Sequence, residues 1–225
     1  MTGKLIVIEG GDGSGKATQT GLLVERLRKE GWHTETIDFP RYGTPPAYFV
    51  ERYLRGEYGP KESIIPRTAS AFFAMDRFDA SSQIRVWLEG GAIVVANRYT
   101  SANMGHMGGE IRDPEARAEF IQWLEQFEYE ELKIPKPDRI VYLHVPANVG
   151  QQYVDQKAER PHLHGATRDV HEADLTHLQR AEEVFLELTR SRPDWIFVEC
   201  SDGEVLLPKE QIHEMIWGVV QPCLE

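Results

Sequence analysis

Short apolar runs alternate along the chain with longer stretches in which apolar residues recur every three or four positions. Lys4–Glu9 (KLIVIE), Thr34–Asp38, Ile93–Asn97 (IVVAN), Arg139–Val145 (RIVYLHV) and Trp195–Glu199 (WIFVE) predict five strands. Near-continuous apolarity marks strands covered on both faces, as in a parallel sheet. Between them the pattern predicts helices at 15–30, 45–56, 66–89, 114–127, 147–157, 171–190 and 208–220. The clearest is 171–190, where Leu178, Ala181, Phe185 and Leu188 share one face and Glu182, Glu183, Glu187 and Arg190 lie elsewhere. Asp113-Pro114 and Leu207-Pro208 read as helix starts, with proline at or near the first turn. Strand alternating with helix predicts an α/β fold, a five-stranded parallel sheet flanked by helices, as one domain over residues 1–225. Ala158–Arg168 (AERPHLHGATR), polar and carrying Gly and Pro, reads as a mobile loop.

Composition narrows the class. With 225 residues, 41% hydrophobic and 27% charged, the chain has the make-up of a soluble globular domain with a substantial core. No apolar run reaches the ~18–20 residues of a membrane span, and the opening MTGKLIVIEGG lacks the form of an export leader. Cys200 and Cys223 show no metal or redox spacing, so a reduced, cytoplasmic setting is expected. A net charge of −11 argues against holding a nucleic-acid polymer through a broad basic surface. Any anionic ligand must instead meet a local cluster of positive groups.

Such a cluster has an obvious centre. Gly10-Gly11-Asp12-Gly13-Ser14-Gly15-Lys16 follows the first strand and precedes a helix, the GxxxxGK frame in its required context. Its glycines let backbone N–H groups converge on phosphates, the helix N-terminus adds a positive dipole end, and Lys16 reaches the β/γ-phosphates. The usual magnesium-binding hydroxyl after the lysine is replaced by Ala17, with Thr18 one place later. Either Mg²⁺ is then held by waters and carboxylates, of which Asp12 is the first candidate with a turn-forming role as its alternative, or nucleotide binding is weaker than the motif suggests.

Further motifs surround this loop: DFPRY at 38–42, FFAMDR at 72–77, NRYTSAN at 97–103, KPDRIVYLHV at 136–145 and RDVHEADL at 168–175. In this order and spacing, with EGGDGSGKATQ, the chain resembles the thymidylate kinase family over essentially its whole length. The resemblance implies a P-loop NTPase fold of the nucleoside monophosphate kinase kind, with a short lid at about 158–168. It implies ATP and dTMP as substrates, Mg²⁺ as cofactor, γ-phosphoryl transfer giving dTDP, and a homodimer. It assigns Phe73 to stacking on thymine, Arg77 to a base carbonyl and Asn103 to base reading. Arg41 and Arg98 are assigned to the dTMP phosphate, which guanidinium forks suit. Asp12, Phe39, Pro40, Tyr42 and His106 complete the expected dTMP site. Read alone, Phe73 fits a core aromatic equally well, and Asp76-Arg77 fits a surface charge pair.

By the same resemblance, Gly13 stands where some members carry a catalytic arginine, so that group is expected from the lid: Arg160 first, Arg168 second, both also expected to bind ATP. Glu172 resembles a residue near the metal, although Asp169 and Glu172 also suit a helix start. Asp12, Lys16, Arg98 and Arg160 form the expected catalytic set. Three positions depart from the family: Asn97 replaces an aspartate, His106 a tyrosine and Met107 a glutamine. Two alternatives stay open, a kinase for another pyrimidine nucleoside monophosphate and a nucleotide-binding regulator without turnover.

Overall fold

The structure is a computed structural model and describes residues 3–60, 63–154 and 174–224. Five strands, β1 (Lys4–Gly10), β2 (Thr34–Asp38), β3 (Ile93–Asn97), β4 (Arg139–His144) and β5 (Trp195–Glu199), form one all-parallel sheet. Their order is β2-β3-β1-β4-β5. Every expected strand is present, to within a residue at its ends. The register sets Ile8 of β1 opposite Asn97 of β3. The loops leaving these two central strands therefore emerge side by side, at the carboxyl edge where open α/β sheets bind ligands.

Alternation along β1 builds two cores. Leu5 and Val7 pack with Ala80 and Ile84 of α3 (Pro66–Glu89), Leu124 of α5 (Pro114–Glu125) and Phe185 of α7 (Leu175–Ser191). Ile6 and Ile8 pack on the other face with Leu23 and Leu27 of α1 (Lys16–Lys29) and Ile212 and Ile216 of α8 (Lys209–Val220). A strand apolar at every position is one that two helical layers cover. In the edge strand β2 only Thr34 is buried, and Phe197 of β5 is exposed.

Local signals held where they were chemical. Asp113 caps α5, its carboxylate accepting from Ala116 N at 2.8 Å, and Asp174 does the same for α7. The helix expected at 45–56 is a 3-10 turn, Pro45–Ala47, running into α2 (Tyr48–Leu54). Of 147–157 the described part is α6 (Ala147–Val154), and the helix expected at 171–190 starts at Leu175, with Asp174 outside it as its cap. Among the described residues the pattern missed α4 (Thr100–His106), a π-helical turn (Gln126–Glu131) after α5, a small hairpin of Ser201–Asp202 with Val205–Leu206, and 3-10 turns at Gly108–Glu110 and Gln221–Cys223. Helix α4 has no amphipathic period, and Gly105 within it is required by packing, since a Cβ there would collide with the Phe185 ring. The lid expected at 158–168 lies outside the described residues.

Candidate active site

The loop from Gly11 to Gly15 joins β1 to α1 at the centre of the carboxyl edge. Gly15 caps α1 with φ 84°, and Gly13 has φ 83°, both in the left-handed region glycine favours. At Gly13 no side chain fits, because a Cβ would run into the carbonyl of Gly150 in α6. This gives a physical reason why no arginine stands at that position. Lys16 turns back over the loop, its Nζ donating to Gly10 O at 2.9 Å and Gly11 O at 2.7 Å. Ser14 is buried, and its Oγ has no hydrogen-bond partner among the described residues. Ala17 and Thr18 are exposed at the first turn of α1.

Beside the loop, Arg98 follows β3 with φ 64° and its N–H bonded to Ile8 O at 3.0 Å. A non-glycine residue in this region carries strain that surrounding structure must hold, a frequent feature of functional sites. The Arg98 guanidinium donates to the Asp12 carboxylate, while Lys16 Nζ lies 3.8 Å from the same oxygen. Its other branch lies 3.0 Å from Nε2 of His106. From there a relay continues: His106 Nδ1 to His177 Nε2 at 3.3 Å, then His177 Nδ1 to Glu110. Arginine only donates and carboxylate only accepts, so the direction is fixed. Each imidazole in the relay carries one proton, on Nδ1.

These groups open onto one cleft of about 410 Å³ that runs from Asp12 and Lys16 to Phe73, Arg77 and Asn103. Phe39, Pro40, Tyr42, Asp38, Asn97, Tyr99, His106 and Met107 also line it. At its far end Arg77, 2% exposed, donates Nε and Nη2 to the two oxygens of Glu128 at 2.7 and 2.6 Å. Burial disfavours the guanidinium charge, but Glu128 outweighs it and holds the pKa of Arg77 above its ordinary value. Glu128 also accepts from Thr100 Oγ1 at 2.7 Å and from Asn103 Nδ2 at 3.4 Å.

Several expectations change here. Arg41, assigned to the phosphate, is not among the residues lining the cleft; its Nε and backbone N–H bond Asp76, and Nη2 bonds Asp79 at 2.7 Å. Two carboxylates on α3 outcompete open water for that guanidinium. Asp76-Arg77 is not a surface pair: both are buried and each meets a different partner, Arg41 and Glu128. Gly10 and Gly11 do not line the main cleft, although Lys16 bonds both carbonyls. Arg160, Arg168 and Glu172 lie outside the described residues. Four residues were missed: Glu128, Thr100, His177 and Glu110. For Glu128 a signal existed, since it stands one four-residue step beyond the buried Phe120 and Leu124. A carboxylate on a core-facing helical position needs a cation, and Arg77 is that cation.

No group of three or more acidic, His or Cys residues among the described residues forms a metal cage. Mg²⁺ does not need one, since it keeps several waters and takes one or two carboxylates. Asp12 lines the cleft together with Asn97, whose buried Oδ1 has no hydrogen-bond partner among the described residues. A hard carboxylate and an amide oxygen with no partner among the described residues, lining one cleft, fit a water-rich Mg²⁺ site.

A phosphate loop on the central strand of a parallel sheet, facing fixed polar groups at the other end of the same cleft, defines a P-loop nucleotide phosphotransferase. Comparison with known proteins gives the particular family. A model described as thymidylate kinase matches residues 8–216. The thymidylate kinase of Mycobacterium tuberculosis is 33% identical over 185 residues, 82% of this chain and 85% of that protein. That of Acaryochloris marina is 29% identical over 100% of this chain and 98% of its own length. A solved thymidylate kinase structure from Candida albicans superposes with a TM-score of 0.73 at 21% identity, covering 98% of this chain and 92% of that one, which bears on the fold. The chain belongs to the thymidylate kinase family, the ATP-dependent nucleoside monophosphate kinases that act as transferases.

Proposed function

We propose that this chain transfers the γ-phosphoryl group of ATP to dTMP, giving dTDP and ADP, with Mg²⁺ as cofactor. The observation that carries the reading is continuity: Lys16 and Arg98 line the same cleft as Phe73, Arg77 and Asn103. One nucleotide's phosphates rest on the P-loop, and the acceptor's base sits at the Phe73 end. The acceptor phosphate, with a second pKa of ~6, is already a nucleophile at neutral pH, so no general base is required. What the chain supplies is alignment and charge neutralisation. Lys16 and Arg98 provide cations, and Asp12 holds Arg98 beside the loop. Asp12 and Asn97 would hold Mg²⁺, which when bound would supply charge neutralisation at the phosphate oxygens.

Phe73 stacks on the base, Arg77 donates to its 4-carbonyl and Asn103 accepts from N3–H. Phe39, Pro40 and Tyr42 wall the acceptor, and His106 lies on its sugar side. Arg160 from the lid completes the charge around the transferring group, with Arg168 and Glu172 in support. A homodimer and a cytoplasmic location belong to the same reading, which family likeness supports.

A coupled ADP-release assay with a panel of nucleoside monophosphates tests it. The expected result is Mg²⁺-dependent turnover with the highest kcat/KM for dTMP. ADP release from no pyrimidine monophosphate would remove the assignment and leave a nucleotide-binding regulator. Arg160→Ala should abolish turnover while ATP still binds; a near-normal rate would remove the lid assignment. Asn97→Asp should lower the Mg²⁺ concentration giving half-maximal rate, and an unchanged requirement would place the metal elsewhere.

A further inference from the structure

The base end of the cleft holds a carboxylate that does not line the cleft but bonds side chains that do. Glu128 is fully buried, is absent from the cleft wall, and sits on the π-helical turn that extends α5. Widened turns of this kind are frequently found at functional sites. Each of its two oxygens accepts two hydrogen bonds. Oε2 takes Arg77 Nε and Thr100 Oγ1, and Oε1 takes Arg77 Nη2 and Asn103 Nδ2. A carboxylate shared among three residues can do more than balance one charge.

Consider what those bonds leave over. A guanidinium is planar, and Nε and Nη2 point their hydrogens toward one edge. With that edge occupied by Glu128, the opposite edge, Nη1, is the donor Arg77 offers to the cleft it lines. The Asn103 amide faces Ser70 O at 3.2 Å and Glu128 Oε1 at 3.4 Å. Both partners only accept, so the nitrogen must be the atom that faces them, and Oδ1 is turned to the other side. The cleft end therefore presents one donor and one acceptor, with neither able to exchange roles.

We propose that Glu128 is a positioning residue for base selection, which aims the Arg77 donor and, with Ser70 O, holds Asn103 as acceptor and so selects pyrimidine-2,4-diones against 4-aminopyrimidines. A dione edge offers O4 as acceptor and N3–H as donor, the complement of this pair. A 4-aminopyrimidine offers an NH₂ donor and a bare N3 acceptor, which sets donor on donor and acceptor on acceptor. A mismatch of that kind strands buried polar groups, and hydrogen-bonding sites discriminate through that penalty. Without the carboxylate, the guanidinium can pivot and the Asn103 amide keeps only its bond to Ser70 O at 3.2 Å, so the rejection weakens. The inference rests on the dTMP-kinase reading for the place of the base, and it adds the residue that sets the rule.

The test compares dTMP and dCMP with wild type and Glu128→Gln, a shape-conserving change that removes the charge and makes one end a donor. Calorimetric affinities report the base edge without turnover, and ADP release reports the reaction, so the two readings fail separately. Wild type should prefer dTMP in both. In Glu128→Gln the dTMP-to-dCMP ratio of affinities should fall roughly tenfold or more, chiefly because dCMP is no longer rejected. Equal loss for both nucleotides, with the ratio kept, would mark Glu128 as structural and overturn the proposal. Where the Gln variant does not fold, Glu128→Asp keeps the charge and withdraws the carboxylate by one methylene; an unmoved ratio there overturns it equally. Binding of dTMP without turnover in wild type would sink the kinase reading while leaving the base rule standing.

Discussion

The two ends of the cleft are built on different principles. At the phosphate end the parts are backbone and short loops: glycines at positive φ, a lysine folded over carbonyls, and Arg98 held by Asp12 and His106. At the base end a long helix carries Phe73 and Arg77, and a residue 51 positions away, Glu128, orients the guanidinium from deep inside the core. Charge at the first end is gathered for a ligand. Charge at the second is cancelled within the protein. Removing a group should therefore cost activity at one end, and stability with selectivity at the other.

The largest expected effect lies at the phosphate end. Lys16→Met should lower kcat by about 10²–10³-fold, the scale for losing one preorganised donor at a transferring group. Its thermal midpoint should fall only slightly, because Lys16 gives up two bonds to backbone carbonyls while Arg98 still neutralises Asp12. A large loss of stability instead would erase the contrast. At the base end Glu128→Ala should lower unfolding free energy by about 3–5 kcal/mol, since Arg77 would remain buried without its counter-charge. Denaturant titration measures this, and a change below about 1 kcal/mol would mean that water already reaches the guanidinium.

The same contrast explains what could be read in advance. A phosphate loop is local in sequence: GGDGSGK after an apolar run states its geometry within seven residues. The five strands were equally legible, because burial on both faces leaves nearly unbroken apolar runs such as Leu5–Ile8. Helix α4 was not, because TSANMGH is shaped by the Phe185 ring lying over Gly105, a contact 80 positions apart in the chain. Nor was Arg41's fate, since the guanidinium had to choose between a phosphate and Asp76 with Asp79, and only the folded chain brings those carboxylates near. Glu128 was the nearest miss: its place on the apolar stripe after Leu124 called for a buried cation, and Arg77 was at hand.

A smaller effect probes the relay behind Arg98. His177→Leu removes the link between His106 and Glu110 while keeping an apolar volume inside α7. His106 then loses its acceptor and Arg98 loses a fixed neighbour. Losing one net hydrogen bond is worth about 1 kcal/mol, so KM for dTMP should rise about fivefold with a smaller change in kcat. His177→Gln, which can both donate and accept, should recover part of the loss. Equal KM values for wild type and His177→Leu would show that Asp12 alone orients the guanidinium.

The smallest effect concerns stability against pH, and it falls outside both ends. His144, at the end of β4, contacts Glu199 at 2.7 Å through Nδ1 and Glu182 at 3.0 Å through Nε2, and Glu182 also accepts from the first N–H of α6 at 2.8 Å. Burial lowers the pKa of this imidazole, but hydrogen bonds to the two carboxylates outweigh it and the pKa is raised. Its stabilisation is complete below the unfolded value near 6.5 and is lost as pH rises through the higher folded value. His213 runs the other way: burial and Arg26 lower its pKa, so stability grows as pH rises there. Subtracting His144→Gln from wild type cancels that second contribution. The difference in unfolding free energy should be positive at about pH 6 and shrink as pH rises through the raised folded value. With 41% of the Glu199 side chain exposed, screening should keep it below about 1 kcal/mol. A difference that stays flat across that range would mean the imidazole remains neutral and tethers α6 and α7 by hydrogen bonding alone.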